Sequence, residues 1–206
     1  MNTLLQLNTS IFSAEGQSSR LADEYVASWR LRNPGGKVVV RDFARDPIPH
    51  LTAERFRAFL VKPAERSAAQ NAEVALSDAL IEELKRADVI VLGLPMYNFG
   101  VPSTLKAYFD HVGRAGVTFR YTEKGPVGLL TGKKAIVVAA RGGMYSGTPR
   151  DTQTSYVRDF LGFLGIADVD FVYAEGLSMG DAGKQASLEG AKVAIRRLHD
   201  PELAAA

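Results

Sequence analysis

An open α/β sheet with helices on both faces is the fold class this sequence predicts, and three observations point to it. Five short apolar runs have the length of buried strands, at residues 4–7, 38–40, 89–94, 135–140 and 169–173. Apolar residues at helical spacing fill the intervals between them. Strand and helix therefore alternate along the chain, and right-handed crossovers turn that alternation into a doubly wound parallel sheet.

Taken in order, the first run, LLQL, passes through a loop of small residues into a helix whose stripe is Leu21, Tyr25 and Trp29. Ser18 and Ser19 are candidates to cap it. The second run is VVV at 38–40. Beyond it, residues 42–70 carry Pro47, Pro49 and Pro63 around a short helical segment, ERFRAFL, before Leu76, Leu80, Ile81 and Leu84 mark the next full helix. The third and fourth runs, VIVLGL and AIVVAA, are nearly unbroken in aliphatic residues, as strands buried on both faces are. Pro102 suits the start of the helix marked by Leu105, Phe109 and Val112. Val157, Phe160, Leu161 and Leu164 form another stripe, which Gly165 can end. Leu188, Ala191, Ile195 and Leu198 form the last. Period alone leaves the strand order open. For five strands in one domain spanning residues 1–206, the expectation is the flavodoxin-like order 2-1-3-4-5.

Composition narrows the function classes. Apolar residues at 46% and charged residues at 23% are ordinary for a soluble globular chain. A balance of 25 basic against 23 acidic residues leaves +2, which gives neither nucleic acid nor a membrane surface a reason to bind. The apolar runs fall well short of the about 20 residues a membrane span needs. The opening MNTLLQLNTS lacks the basic start and long apolar middle of a secretory signal. The absence of cysteine excludes disulfides and thiol catalysis and suits a cytoplasmic protein. His50, His111 and His199 lack metal-ligand spacing, so no metal is expected. GLLTGKK is no P-loop, since its first glycine is missing and Lys134 stands where Ser or Thr is required. No Ser-His-Asp set or carboxylate pair can be assembled. No catalytic side chain is nominated, and chemistry here would come from a cofactor.

Ligands of open α/β sheets bind beyond the carboxyl ends of the strands, where three loops are unusual. The first, NTSIFSAEGQSSR at 8–20, feeds hydroxyl residues into a helix N-terminus. Ser10, Gln17, Ser18 and Ser19 there can help bind a static phosphate, or the serines simply cap the helix. The second, in LPMYNFGVPSTLKAYFD at 94–110, presents Met96, Tyr97, Asn98 and Phe99 at a strand end. That set can cover a flat heterocycle and meet its polar edge; the competing reading is an aromatic core plug. The third, AARGGMYSGTPRD at 139–151, offers Gly142 and Gly143 for close backbone approach and Arg141 for an electron-rich ligand edge, or else a solvated arginine on a flexible loop. Two connections, 42–70 and 113–132, are longer than the fold needs. Phe119 and Tyr121 favour a functional wall for the second of these.

PMYNFGVPSTLKAYFD, AGVTFRYTEKGPVGLLTGKKA, RGG, FLGFLGI and AEG together resemble the bacterial FMN-dependent NADH azoreductase/quinone reductase family, from the first strand through Gly176. The resemblance implies a homodimer with two FMN sites at its interface. It implies that Ser10, Gly16, Gln17 and Ser18 hold the FMN phosphate. The isoalloxazine would lie against Pro95, Met96, Tyr97, Asn98, Phe99, Ala140, Arg141, Gly142 and Gly143. Tyr121 and Phe163 would form the substrate pocket with Phe99 and Tyr145, Phe163 reaching across from the other subunit. Some relatives have serine where Gly16 and Ala140 stand, which removes two hydrogen bonds worth on the order of 1 kcal/mol each. The implied reaction is ping-pong: NADH or NADPH delivers hydride to the flavin, then a quinone or azo compound takes its place. The rival is a flavodoxin-like electron carrier, against which the near-neutral charge argues.

Overall fold

The structure, a computed structural model, describes residues 2–199. Its strands are β1 (Thr3–Asn8), β2 (Lys37–Asp42), β3 (Val89–Pro95), β4 (Phe119–Thr122), β5 (Gly125–Gly128), β6 (Lys134–Ala140) and β7 (Asp168–Ala174). Its helices are α1 (Gln17–Arg32), α2 (Ala53–Leu60), α3 (Ala68–Arg86), α4 (Ser103–Val112), α5 (Thr154–Leu164) and α6 (Asp181–His199). Five strands form a parallel sheet in the order β2-β1-β3-β6-β7. The five predicted runs lie in the expected succession 2-1-3-4-5; the numbering differs in detail because two unforeseen strands, β4 and β5, intervene in the chain and pair only with each other.

Each side of the sheet has its own core. Leu21, Tyr25 and Trp29 of α1 join Ala191 and Ile195 of α6 over Leu4, Val91, Ile136 and Val138. On the other face, Leu80 and Leu84 of α3, Leu105 and Phe109 of α4, and Val157 and Leu161 of α5 cover Leu5, Leu7, Ile90, Leu92 and Val137. Alternate residues of β1 and β3 thus serve opposite cores, as the two-residue strand period requires. Each such side chain contributes about 1.5–3 kcal/mol on burial. That is why the central strands read as unbroken apolar runs.

Helix ends follow local chemistry. Ser67 and Gln70 form a reciprocal capping box at the start of α3. Pro102 is the N-cap of α4, and Gly165 closes α5 in the left-handed conformation at φ +100°. The expected cap of α1 is corrected: Gly16 takes that place, no side chain caps the helix, and Ser18 and Ser19 lie inside its first turn. The segment 113–132, expected as a loop, contains the antiparallel β4–β5 hairpin. The hairpin is held to the fold where the Leu130 N–H donates to the Leu164 carbonyl at 2.8 Å.

Register brings the loops to one edge. Asn8 pairs with Gly93, Pro95 with Ala140, and Ala140 with Ala174. The segments leaving β1, β3, β6 and β7 therefore start at nearly one level.

Candidate cofactor site

The loop after β1 closes over the start of α1. The Phe12 N–H donates to Ser10 Oγ at 3.2 Å, and the Gly16 N–H to the Ser13 carbonyl at 3.3 Å. A Cβ on Gly16 would stand 2.2 Å from Ser10 Oγ, so only glycine lets that hydroxyl lie against the helix start. Serine at position 16 would thus require Ser10 to move. Ser18 Oγ and Ser19 Oγ are buried and have no hydrogen-bond partner. Leaving such groups unpaired costs about 1–3 kcal/mol each, so they mark a place where a partner is missing. They sit in the uncapped first turn of α1, where the helix dipole favours an anion. Gln17 begins that turn, while its side chain borders a separate groove between α1 and α6.

The loop after β3 is a tight turn. The N–H groups of Tyr97 and Gly100 each donate to the other's carbonyl, at 3.2 and 2.9 Å. Both residues between them are left-handed, Asn98 at φ +50° and Phe99 at φ +63°. Asparagine tolerates this; a bulky ring does not, and such a conformation costs on the order of 1–3 kcal/mol. The strain sets the Phe99 ring half in solvent, edge-on to Tyr145 with centroids 5.5 Å apart. The Tyr97 hydroxyl lies 3.3 Å from Ser10 Oγ and accepts from the Ile11 N–H at 3.3 Å, joining the first two loops. The Met96 N–H donates to the Ala140 carbonyl at 3.1 Å, joining the second to the third.

Arg141 is a correction. Its guanidinium is fully buried and faces inward, donating to Glu175 at 3.0 Å and Asp151 at 2.8 Å, so its side chain is neither solvated nor part of the cleft lining. Burial raises the pKa of Asp151, but hydrogen bonds from Arg141 and Thr154 outweigh it and hold the carboxyl below its ordinary range. Glu175 also accepts from the N–H groups of Tyr145 and Ser146, both at 2.9 Å. The arginine thus shapes the loop from behind. Asp151 and Glu175, which hold Arg141 in place, were not singled out from the sequence. The signal for them was indirect: a fully buried arginine must find carboxylates.

Met96, Asn98, Phe99, Gly142, Gly143, Tyr145 and Ser178 line a cleft of about 450 Å³. A Cβ on Gly143 would meet the Tyr145 ring at 2.6 Å and one on Gly142 would meet Ser178 Oγ at 2.9 Å, so either substitution would push that side chain aside. Tyr121 and Phe163 do not line the cleft of their own chain. They meet instead around Phe119, whose ring centroid lies 5.4 Å from that of Tyr121 and 4.1 Å from that of Phe163.

This arrangement suits FMN. Orphaned hydroxyls at an uncapped helix start suit its phosphate, and a cleft walled by a thioether, aromatic rings and glycine backbone suits a flat ring system. Among the described residues, no three His, Asp or Glu side chains gather as a metal site would need, and no helix is long and apolar enough to cross a membrane.

Residues 2–198 match a family with a flavodoxin-like fold. The chain is 57% identical over 180 residues to an FMN-dependent NADH:quinone oxidoreductase of Cellvibrio japonicus, covering 87% of this chain and 90% of that protein. It is 56% identical over 195 residues to FMN-dependent NADH:quinone oxidoreductase 6 of Burkholderia lata, covering 95% and 98%. Its structure is similar to that of an azoreductase from Bacillus anthracis at a TM-score of 0.89 and 26% identity, covering 98% of this chain and all of the other. An FMN-dependent NADH-azoreductase of the same species, solved in complex with FMN, gives a TM-score of 0.85 at 25% identity, covering 97% and 100%.

Proposed function

The chain belongs to the flavodoxin-like family of FMN-dependent NADH:quinone oxidoreductases, and on that premise we propose that it binds FMN in the cleft beyond β1, β3 and β6 and reduces quinones and azo compounds with NADH. Residues 1–206 then act as a single FMN-binding domain. The observation that carries this proposal is the meeting of three loops at one sheet edge, with the Ser10 and Tyr97 hydroxyls 3.3 Å apart and two orphaned serine hydroxyls in the first turn of α1.

Bound FMN supplies the chemistry, accepting hydride from a nicotinamide and passing it to the acceptor. The chain's own groups bind and orient. Ser18, Ser19 and the first-turn N–H groups of α1 hold the phosphate, with Ser10 closing over it. Met96 and Phe99 cover the ring system. The Asn98 amide and the backbone at Gly142 and Gly143 present dipoles where negative charge grows during reduction. No side chain is assigned as catalytic acid; a proton for the product comes from water. Donor and acceptor use one cleft in turn, which is a ping-pong cycle. NADH, rather than NADPH, is the donor that the relatives' names support.

The working unit is a cytoplasmic homodimer in this proposal. Tyr121 and Phe163 lie outside the cleft of their own chain, and Ile11, Phe12, Tyr121, Met144 and Met179 expose large apolar side chains. A second copy would give these residues a role.

The test is the visible spectrum of protein mixed with FMN, desalted and then given NADH without oxygen. Retained flavin bands that bleach on NADH addition are expected. Bands that persist unbleached would favour an electron carrier served by another reductase, and no retained flavin would overturn the proposal.

A further inference from the structure

Gln153 precedes α5, is fully buried, and touches two of the three loops without lining the cleft. Its Nε2 donates to the Pro95 carbonyl at 2.9 Å and to the Gly100 carbonyl at 3.0 Å. Its Oε1 accepts from Arg141 Nε at 3.2 Å. Both amide protons and the amide oxygen are thus engaged, which fixes the orientation of the group. The neighbouring Thr152 donates its hydroxyl to the Phe99 carbonyl. Two consecutive residues therefore grip three carbonyls of one six-residue turn, 95–100.

That turn holds the two left-handed residues Asn98 and Phe99. A bulky residue keeps such a conformation only where its surroundings over-determine it. The bonds from Thr152 and Gln153 fall on the residues at and around the strained pair. Through Arg141, Gln153 also ties the turn to the loop after β6.

We propose that Thr152 and Gln153 are positioning residues for FMN: they hold the 95–100 turn in its strained form, in register with the Arg141 loop, before the cofactor arrives. The proposal rests on the FMN reading above. A turn already held this way binds its ligand without first being ordered, and that saving appears as affinity.

Gln153→Glu tests this with an almost unchanged shape. It keeps an acceptor for Arg141 but sets carboxylate oxygen against two carbonyls in place of two donors. Thr152→Val, at an exposed position, removes only the bond to Phe99, and it decides the matter if the first variant does not fold. Hydrogen exchange of the Tyr97 and Gly100 amides is measured on the apoproteins. FMN affinity is measured by quenching of flavin fluorescence, and the visible circular dichroism of the bound flavin reports its setting. Expected are faster exchange at both amides, a Kd raised about tenfold by Gln153→Glu and less by Thr152→Val, and altered dichroism. Wild-type exchange, affinity and dichroism in a folded variant would overturn the proposal. If the wild-type chain binds no FMN, the function fails, while exchange in the apoprotein still tests the hold on the turn.

Discussion

The hydroxyls of Ser10 and Tyr97 lie 3.3 Å apart, so the loop after β1 and the turn after β3 share a hydrogen bond at the sheet edge. The Ile11 N–H reaches the same tyrosine oxygen at 3.3 Å. One phenol thereby sets the spacing between the proposed phosphate end and ring end of the site. Tyr97→Phe removes both bonds while keeping the ring. At about 0.5–1.5 kcal/mol for a typical net hydrogen bond, FMN affinity should fall about threefold to tenfold. Thermal unfolding of the apoprotein should barely change, because Tyr97 is only partly buried. An unchanged affinity in a fluorescence titration would mean that the two loops are set independently.

Ser18 offers a sharper test because its hydroxyl has no partner within the chain. Ser18→Ala deletes a buried group that stabilises nothing in the apoprotein, so the unfolding temperature should hold or rise slightly. FMN affinity should fall about tenfold, the value of a hydrogen bond to a charged group. Riboflavin has the same ring and no phosphate, so its affinity should not change. Equal losses for the two flavins would remove Ser18 from the phosphate site.

His111 gives a dependence on pH. It is buried on α4, with Nε2 lying 3.0 Å from the Pro49 carbonyl, which joins the proline-rich connection to the helix. Burial pushes its pKa below the ordinary 6.5; Arg55 adds to the shift, while the Pro49 carbonyl and Asp110 oppose it. The fold thus prefers the neutral ring. Its contribution is fully present above the unfolded value and is lost as pH falls through the lowered folded value. The urea midpoint of the wild type should drop as pH falls from about 7.5 to 5.5, and the drop should be smaller in His111→Gln. His199, also lowered by burial, stays in both proteins, so the difference between them isolates His111. Parallel curves would show that His111 does not sense pH.

What could be read from the sequence follows from where each signal lies. The central strands were legible because burial on both faces forces unbroken aliphatic runs, and Gly165 because a helix end favours a residue free to turn left-handed. Met96 to Phe99 stood out because aromatics at a strand end are out of place in a short turn. The β4–β5 hairpin was not legible, since each strand is only four residues long, too short for a period. Arg141 was misread because the partners that turn it inward lie 10 to 34 residues away in the chain. The role of Gln153 was hidden for the same reason: nothing local marks a side chain that bonds carbonyls 53 and 58 residues earlier.

Tyr121 and Phe163 test the proposed dimer. Tyr121 is 74% exposed, so Tyr121→Ala should alter stability by no more than about 0.5 kcal/mol. Phe163 is half-buried against Phe119, and its loss should cost on the order of 1–2 kcal/mol, less than a fully buried ring. Both changes should raise KM for a quinone several-fold while leaving FMN affinity nearly intact. Mixing variants then tells which chain each residue serves. A dimer of one Ser18→Ala chain and one Tyr121→Ala chain holds one intact site if Tyr121 completes the other chain's cleft. It holds none if Tyr121 serves its own. Refolding the two together should therefore give more quinone reduction than the average of the separate variants. Activity no higher than that average would place Tyr121 in its own chain's site and remove the main support for a site shared between subunits.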